Sequence, residues 1–218
     1  MPAILFGSIS TVADTSELQR KAFNEAFAEH GLDWRWDRDD YVATLDKSGG
    51  AARVAAYADE VGAAVDAAAI HATKSRIFRE SLTTGSITPR PGVVETVRDA
   101  KGAGTQVGLV TTTSPENVSA LLAALSPELG PDSFDVVISL ADVDRPKPDG
   151  AAYVLATQRL DEKPDDCVAV EDNPDGAQAA AAAGVPCVAF PNENTAGLDF
   201  AAAQRRVDHL GYDDLTGR

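Results

Sequence analysis

The sequence predicts an α/β fold in which helices cover a parallel sheet, with an all-helical segment inserted after the first strand. Two observations support this prediction. From residue 92 onward, short apolar runs alternate with segments of helical periodicity. Between residues 15 and 85 the periodicity is helical throughout. Alternation of this kind is typical of parallel sheets, because each pair of parallel strands needs a helix-sized crossover.

Five short apolar runs have the composition of buried parallel strands. Both faces of a parallel sheet are covered, so its strands are continuously apolar rather than alternating. The first run is Ala3-Ile4-Leu5-Phe6, which small polar residues end. The predicted strands cover residues 3–6, 106–110, 134–138, 167–170 and 185–190. We therefore expect a parallel sheet of five or six strands.

Four segments between these runs have the spacing and boundary residues of helices. They cover residues 92–103, 115–125, 150–160 and 174–183. In open sheets of this class, ligands bind beyond the carboxyl ends of the strands. Functional side chains are therefore expected directly after each apolar run.

The long stretch before residue 86 is predicted to form a helical subdomain. Apolar residues recur three and four positions apart, as at Leu18, Ala22 and Ala26. Capping residues open the stretch, and a proline-rich turn sequence follows it. We assign residues 1–14 and 86–218 to the α/β core and residues 15–85 to the insert.

Composition and charge argue against several functional classes. The 218 residues carry 19 basic and 34 acidic side chains, a formal net charge of −15. Such a charge repels nucleic-acid phosphates and anionic lipid headgroups. The apolar runs are far shorter than a bilayer span, and no leader pattern opens the chain. We expect a cytoplasmic protein without nucleic-acid or membrane partners, in which Cys167 and Cys187 are reduced core residues.

Polar residues at three strand ends have the chemistry of a phosphate site. Thr111 precedes a predicted helix N-terminus, where hydroxyl and N–H groups can donate to phosphate. Lys147 lies between two prolines that keep it out of a helix, so its ammonium can be aimed at an anion. Glu171 and Asp172 end a strand, and their oxygens can hold Mg²⁺. Each residue also has a purely structural explanation, as a helix cap, a solvated lysine or a helix N-terminal charge pair.

Taken in order, these strand ends resemble the haloacid-dehalogenase-like (HAD) phosphohydrolase superfamily over nearly the whole chain. The matching segments are residues 6–15, 111–117, 145–149 and 171–176. Gly49-Gly50-Ala51-Ala52-Arg53, the helix with Lys74 and Phe78, and residues 87–93 are similar to the CbbY and β-phosphoglucomutase-like branch, which acts on sugar phosphates. The resemblance implies a Rossmann-like parallel-sheet core with an inserted all-helical cap.

The resemblance also implies roles for individual residues. The implied set is Thr111, Thr112 and Lys147 for phosphate, Glu171 and Asp172 for Mg²⁺, and Gly49, Gly50 and Arg53 for the cap side of the site. The implied partner is a phosphorylated small metabolite, and the sequence does not indicate a protein partner. The cap departs from its relatives at Ala51 and Ala52, which replace charged residues, and at Gln19, which replaces a usual histidine.

The first strand end departs from the family pattern Asp-x-Asp-Gly-Thr. In the family, the first aspartate attacks phosphorus and binds Mg²⁺, and the second acts as acid and base. The matching residues are Gly7 and Ile9, which can do neither. Strand alternation predicts that Ser8 points away from the nucleophile position, and no histidine is near in sequence. We therefore expect no covalent catalysis and weakened Mg²⁺ binding, because Gly7 removes a metal ligand and leaves Asp172 or Glu171 with the Ile9 carbonyl.

Three interpretations stay open. The protein is a catalytically silent HAD relative that keeps a phosphate-binding shell, a weak phosphomonoester hydrolase, or a structural partner with a vestigial cleft. The weak hydrolase would use direct water attack, with Glu171 or Asp172 as base and Lys147 as electrostatic anchor. Stabilisation by phosphate distinguishes the first interpretation from the third, and turnover identifies the second.

Overall fold

A parallel sheet of six strands forms the centre of the computed structural model, which describes residues 3–45 and 49–216. The strands are β1 (Ala3–Phe6), β2 (Gln106–Val110), β3 (Val136–Ile138), β4 (Cys167–Glu171), β5 (Cys187–Ala189) and β6 (Arg205–Arg206). Their order is β3-β2-β1-β4-β5-β6, and every neighbouring pair is parallel. The predicted parallel α/β core is confirmed.

Two strands are shorter than predicted. Residues 131–133 form a 3₁₀ turn, and the N–H of Phe134 donates to the carbonyl of Pro131, so β3 begins only at Val136. Strand β5 covers three residues rather than six. The edge strand β6 consists of two exposed arginines, so no apolar run marks its position in the sequence.

Ten α-helices surround the sheet in the described part of the chain. They are α1 (Ile9–Val12), α2 (Ser16–Glu29), α3 (Arg38–Val42), α4 (Gly50–Glu60), α5 (Ala67–Thr84), α6 (Val93–Gly102), α7 (Pro115–Leu125), α8 (Ala151–Leu160), α9 (Pro174–Ala182) and α10 (Tyr212–Thr216). The four helices predicted after residue 92 correspond to α6–α9.

Side-chain alternation along β1 separates two apolar layers. Ile4 and Phe6 join the layer formed with α2, α5, α6 and α7, whereas Ala3 and Leu5 join the layer formed with α8 and α9. Successive strand side chains point to opposite faces, so a strand covered on both sides is apolar at every position. This is why β1 is a continuous apolar run.

Between residues 15 and 85, the described residues form helices and turns without a strand. Helices α2 and α5 pack together, and aromatic rings join α2 to the segments around it. The ring centroids of Phe27 and Trp36 lie 4.8 Å apart, and those of Trp34 and Tyr57 lie 5.1 Å apart, both edge to face. The helical content agrees with the prediction for this segment. Its limits as a separate subdomain stay a prediction.

The chain leaves the sheet for these helices after Val12 and returns near Arg90, and these two connections lie side by side. The N–H of Arg90 donates to the carbonyl of Val12 at 2.8 Å. The guanidinium of Arg90 donates to the carbonyls of Phe190 and Pro191 at 2.8 and 2.7 Å and stacks on the Phe190 ring. These contacts hold α2–α5 above the carboxyl edge of the sheet.

Two further predictions concern the membrane and the cysteines. None of the helices in residues 3–45 and 49–216 is long and apolar enough to cross a bilayer. Cys167 and Cys187 are free and buried, as predicted for core residues. Burial raises the pKa of the Cys167 thiol to about 11, which makes it unreactive at neutral pH.

Candidate functional site

A cleft of about 500 Å³ lies between the carboxyl edge of the sheet and helices α2, α4 and α5. The residues after β1, β2 and β4 form its floor, and the inserted helices form its opposite wall. Most of the residues predicted from the sequence line it, namely Gly7, Ile9, Gly49, Gly50, Arg53, Thr111, Thr112, Lys147 and Asp172. Glu171 lies beneath the floor with no exposed surface.

Lys147 is held under the floor by internal partners. Its ammonium donates to Glu171 Oε1 at 2.6 Å, to the carbonyl of Val110 at 2.8 Å, and to the carbonyl of Gly7. The hydroxyl of Tyr153 donates to the same Glu171 oxygen at 2.8 Å. Pairing of Lys147 with a carboxylate agrees with the cost of an unpaired buried charge. All three ammonium hydrogens are therefore engaged within the protein.

Glu171 occupies the space next to Gly7. A Cβ built on Gly7 would overlap Glu171 Oε1 and the Tyr153 hydroxyl. A Cβ on Gly176 would likewise overlap the Glu171 carboxyl group. Burial raises the pKa of Glu171, and the neighbouring Lys147 opposes that rise. Any side chain at position 7 would therefore require Glu171 and Tyr153 to shift.

Asp172 is bonded to two hydroxyls from the turn after β1. Ser8 Oγ and Thr11 Oγ1 donate to its Oδ1 at 2.7 and 2.9 Å. The expectation that Ser8 points away from the site is wrong. Strand β1 ends at Phe6, and Ser8 is the N-cap of α1, so strand alternation no longer governs its direction.

The segment after β2 presents hydroxyls and the start of a helix to the cleft. Thr111 Oγ1 accepts from the N–H of Thr113 at 3.2 Å, which leaves its own hydrogen free to donate. Ser114 caps α7 by accepting from the N–H of Asn117 at 3.3 Å. Thr112 and Ser114 also line the cleft. The partial positive charge of this helix N-terminus therefore faces the cavity.

Arg53 contributes a cation to the opposite wall. Its Nε donates to the carbonyl of Thr44 at 3.0 Å, and its guanidinium lies 5.6 Å from the Tyr41 ring centroid. Gly49, which begins α4, has φ +97°, and a Cβ on Gly50 would overlap the His71 ring. These glycines allow α4 to start close against α5.

Lys74 is a second cation of this wall, and the predicted site set did not include it. It is only 4% exposed, and its ammonium donates to Gln19 Oε1 at 2.8 Å. The rings of Phe23 and Phe78 lie 4.9 and 5.2 Å from the ammonium. Burial and the charge of Arg53 lower the pKa of Lys74 to about 7. A lysine on the apolar face of a predicted helix, next to Phe78, is the signal that could have identified it.

His71 also lines the cleft, although it is remote in sequence from the strand ends. Burial, with the charges of Lys74 and Arg53, lowers the pKa of His71 to about 4. The imidazole is therefore neutral at physiological pH. The cationic character of the wall comes from Lys74 and Arg53.

Comparison with known protein families identifies the family to which this chain belongs. Residues 1–184 match the profile of the haloacid dehalogenase-like hydrolases. The chain belongs to this family. HAD proteins generally use Mg²⁺, so the question for this site is whether the oxygens of Glu171 and Asp172 are free to bind it.

The HAD relatives with high similarity are CbbY proteins. Protein CbbY of Rhodobacter capsulatus is 37% identical over 213 residues, which cover 96% of this chain and 94% of that protein. CbbY from Rhodobacter sphaeroides in complex with phosphate superposes with a TM-score of 0.89, at 37% identity and 99% coverage of both chains. A mutant of that CbbY in complex with xylulose-(1,5)bisphosphate superposes with a TM-score of 0.88, at 38% identity over 96% of this chain and 94% of that one.

The oxygens that the sequence implied for Mg²⁺ have internal hydrogen-bond partners in this HAD protein. Glu171 is buried against Lys147 and Tyr153, and Asp172 Oδ1 accepts from two hydroxyls. The Ile9 carbonyl, which was expected to remain as a ligand, accepts from the N–H of Ala13 at 3.1 Å. Within residues 3–45 and 49–216, no group of three or more His, Cys, Asp or Glu side chains is arranged to hold a metal ion.

Proposed function

We propose that this CbbY-like protein binds a phosphorylated sugar in the cleft and does not catalyse phosphoryl transfer. The observation that carries the proposal is the distribution of charge and donors around an open cleft. Thr111, Thr112 and the start of α7 supply donors on the core side, and Arg53 and Lys74 supply cations on the cap side. The reactive position between them has no carboxylate, because it is occupied by Gly7 and Ile9.

Two anion-binding ends favour a ligand with two phosphate groups. Lys74 is buried and donates to a neutral amide, with no carboxylate partner among the described residues. A buried ammonium without a counter-charge is costly, and an incoming phosphate would remove that cost. The structural relative in complex with xylulose-(1,5)bisphosphate supports the same class of ligand. We therefore propose sugar bisphosphates first and sugar monophosphates second.

The structure gives little support to hydrolysis by direct water attack. Glu171 has no exposed surface, so a water in the cleft cannot reach it as a base. Asp172 Oδ1 already accepts from Ser8 and Thr11. Enzymatic phosphomonoester hydrolysis can require accelerations up to ~10²¹, which positioning by Thr111 and helix α7 cannot supply. A vestigial cleft is also disfavoured, because only the Gln19 hydrogen bond and two aromatic rings would then offset the cost of burying Lys74.

The binding claim is tested by ligand-induced thermal stabilisation. A ligand that binds only the folded state must raise the melting temperature. We expect inorganic phosphate, sugar monophosphates and a sugar bisphosphate to stabilise the protein in increasing order, and the free sugars to have no effect. Lys74→Met should remove the bisphosphate effect, whereas Lys21→Met, on the exposed face of α2, should keep it. Equal stabilisation of both variants would contradict the proposal.

The claim of catalytic silence is tested by phosphate release. We expect no turnover above a mock preparation for an aryl phosphate or a panel of sugar phosphates, with Mg²⁺ or with chelator. Losing one member of a catalytic unit costs about as much as losing all of it. Mg²⁺-dependent turnover by the unaltered protein that disappears in Lys147→Ala would refute the claim.

A further inference from the structure

We propose that the floor of the cleft is closed to divalent cations and that the protein binds its anionic ligand without them. The nature of that ligand rests on the proposed function, whereas the exclusion of metal does not. The evidence is how the structure uses the lone pairs of each oxygen that could coordinate a cation. At the ends of β1 and β4, the carboxylate and carbonyl oxygens that matter come from the side chains of Asp172 and Glu171 and from the carbonyls of Gly7 and Ile9.

Asp172 has one oxygen fully used and one partly open. A carboxylate oxygen accepts about two hydrogen bonds, and Oδ1 already receives Ser8 Oγ at 2.7 Å and Thr11 Oγ1 at 2.9 Å. The amide of Asn192 lies 3.4 Å from Oδ2. Oδ2 is therefore the Asp172 oxygen that still has an open lone pair.

Glu171 offers no oxygen to the cleft. Its Oε1 receives both Lys147 and Tyr153, at 2.6 and 2.8 Å. Its Oε2 is buried without a hydrogen-bond partner in the described structure, and it lies against Gly176. Glu171 has no exposed surface, so a cation in the cleft can reach neither of its oxygens without displacing other groups.

Each of the two carbonyls already accepts one hydrogen bond, which leaves one lone pair on each. The Gly7 carbonyl accepts from the Lys147 ammonium, and the Ile9 carbonyl accepts from the N–H of Ala13. Mg²⁺ needs close to six oxygens in octahedral geometry and releases its water reluctantly. Without a carboxylate at residues 7 and 9, Asp172 Oδ2 is a thin site for such a cation, and Lys147 already holds the Glu171 carboxylate.

Internal donors thus replace the cation. The ammonium of Lys147 neutralises Glu171, and the hydroxyls of Ser8 and Thr11 satisfy Asp172. Gly7 makes this packing possible, because any side chain there would overlap Glu171 and Tyr153. Hydrogen bonds within the protein thus fill the space at the ends of these strands that a cation would otherwise occupy.

The experiment titrates Mn²⁺ with the full-length wild-type protein and follows free Mn²⁺ by electron paramagnetic resonance. We expect the free signal to be undiminished at stoichiometric protein. Depletion of the signal by the wild type that disappears in Asp172→Asn would overturn the proposal. This readout needs neither ligand nor turnover.

A pair of matched variants tests the cause. Ser8→Ala with Thr11→Val removes both hydroxyls from Asp172 and should produce measurable depletion of free Mn²⁺. Ser10→Ala with Thr15→Val removes a hydroxyl pair, 2.6 Å apart, from the same turn without touching Asp172, and it should bind no Mn²⁺. Equal behaviour of the two folded variants would refute the role of the hydroxyls.

Phosphate binding is measured separately, as the melting-temperature shift of the wild type in Mg²⁺ and in chelator. We expect the same shift in both. A shift that needs Mg²⁺ would overturn the metal-free site and leave the proposed function standing. No shift in either condition would overturn the proposed function and leave the Mn²⁺ result as the test of the floor.

Discussion

Replacing Lys74 with methionine should stabilise the protein while removing its affinity for a bisphosphate. Methionine has a similar length and needs no hydration, so it fills the same space among Phe23 and Phe78. The electrostatic cost follows from the pKa of Lys74, which burial lowers from 10.5 to about 7. At pH 7 this lowered pKa means that Lys74 reduces the free energy of unfolding by roughly 4 kcal/mol.

Part of that gain is offset by contacts that methionine cannot make. The hydrogen bond to Gln19 is worth about 1 kcal/mol, and a buried cation–π contact is worth up to about 2 kcal/mol. We expect a net increase of roughly 1–2 kcal/mol in the free energy of unfolding at pH 7. For a chain of this length, 1 kcal/mol raises the melting temperature by about 2–4 °C.

The pH dependence identifies the cause. The folded-state pKa of Lys74 lies below its unfolded value, so the unfolded chain binds the extra proton between about pH 7 and 10.5. Wild-type stability therefore gains from Lys74 as pH rises through that window, and the advantage of Lys74→Met shrinks. From pH 7 to 9, the difference in unfolding free energy between Lys74→Met and the wild type should fall by about 2 kcal/mol.

The assay is urea denaturation of both proteins at pH 6, 7, 8 and 9. Other titrating groups cancel in the difference between wild type and variant. Lys21→Met, on the exposed face of α2, should give a difference near zero at every pH. A variant at Lys74 that is less stable at pH 6, or whose difference does not change with pH, would refute the reasoning.

Three other predictions concern the floor of the cleft. Gly7→Ala should lower the free energy of unfolding by about 1–3 kcal/mol because its Cβ overlaps Glu171 and Tyr153. In the control Gly197→Ala, the new Cβ meets no atom within 4 Å, so equal unfolding free energies for the two variants would contradict this packing. Lys147→Met should cost about 3–5 kcal/mol by leaving Glu171 buried without its partner; Arg159→Met breaks a largely exposed pair with Asp142 and should cost at most about 1 kcal/mol, so similar urea midpoints would count against a buried ion pair. Thr111→Val should reduce the phosphate-induced shift in melting temperature by removing a donor at the start of α7, whereas Thr83→Val, at an exposed site on α5, should keep it; a full shift in Thr111→Val would remove this residue from the proposed shell.

The sequence alone was sufficient to predict the central strands of the core and the helices that follow them. Strands β1, β2 and β4 lie where continuous apolar runs predicted them, because burial on both faces leaves a signal at every residue. The predicted starts of α7 and α9, at residues 115 and 174, are also confirmed, and Ser114 and Asn173 cap them. The edge strand β6 left no such signal, because its two arginines are exposed.

The site depended on the tertiary structure, because its contacts join residues far apart in the chain. Sequence reasoning placed Lys147 near the Glu171-Asp172 pair, and only the packing around Gly7 decided that Glu171 takes the ammonium. Ser8 turned toward Asp172 because the strand ends before it, which alternation could not predict. Lys74 reaches the cleft from α5, far in sequence from the strand ends. Which lone pairs remain open is a property of these three-dimensional neighbours, and a residue's type and position in the chain do not determine it.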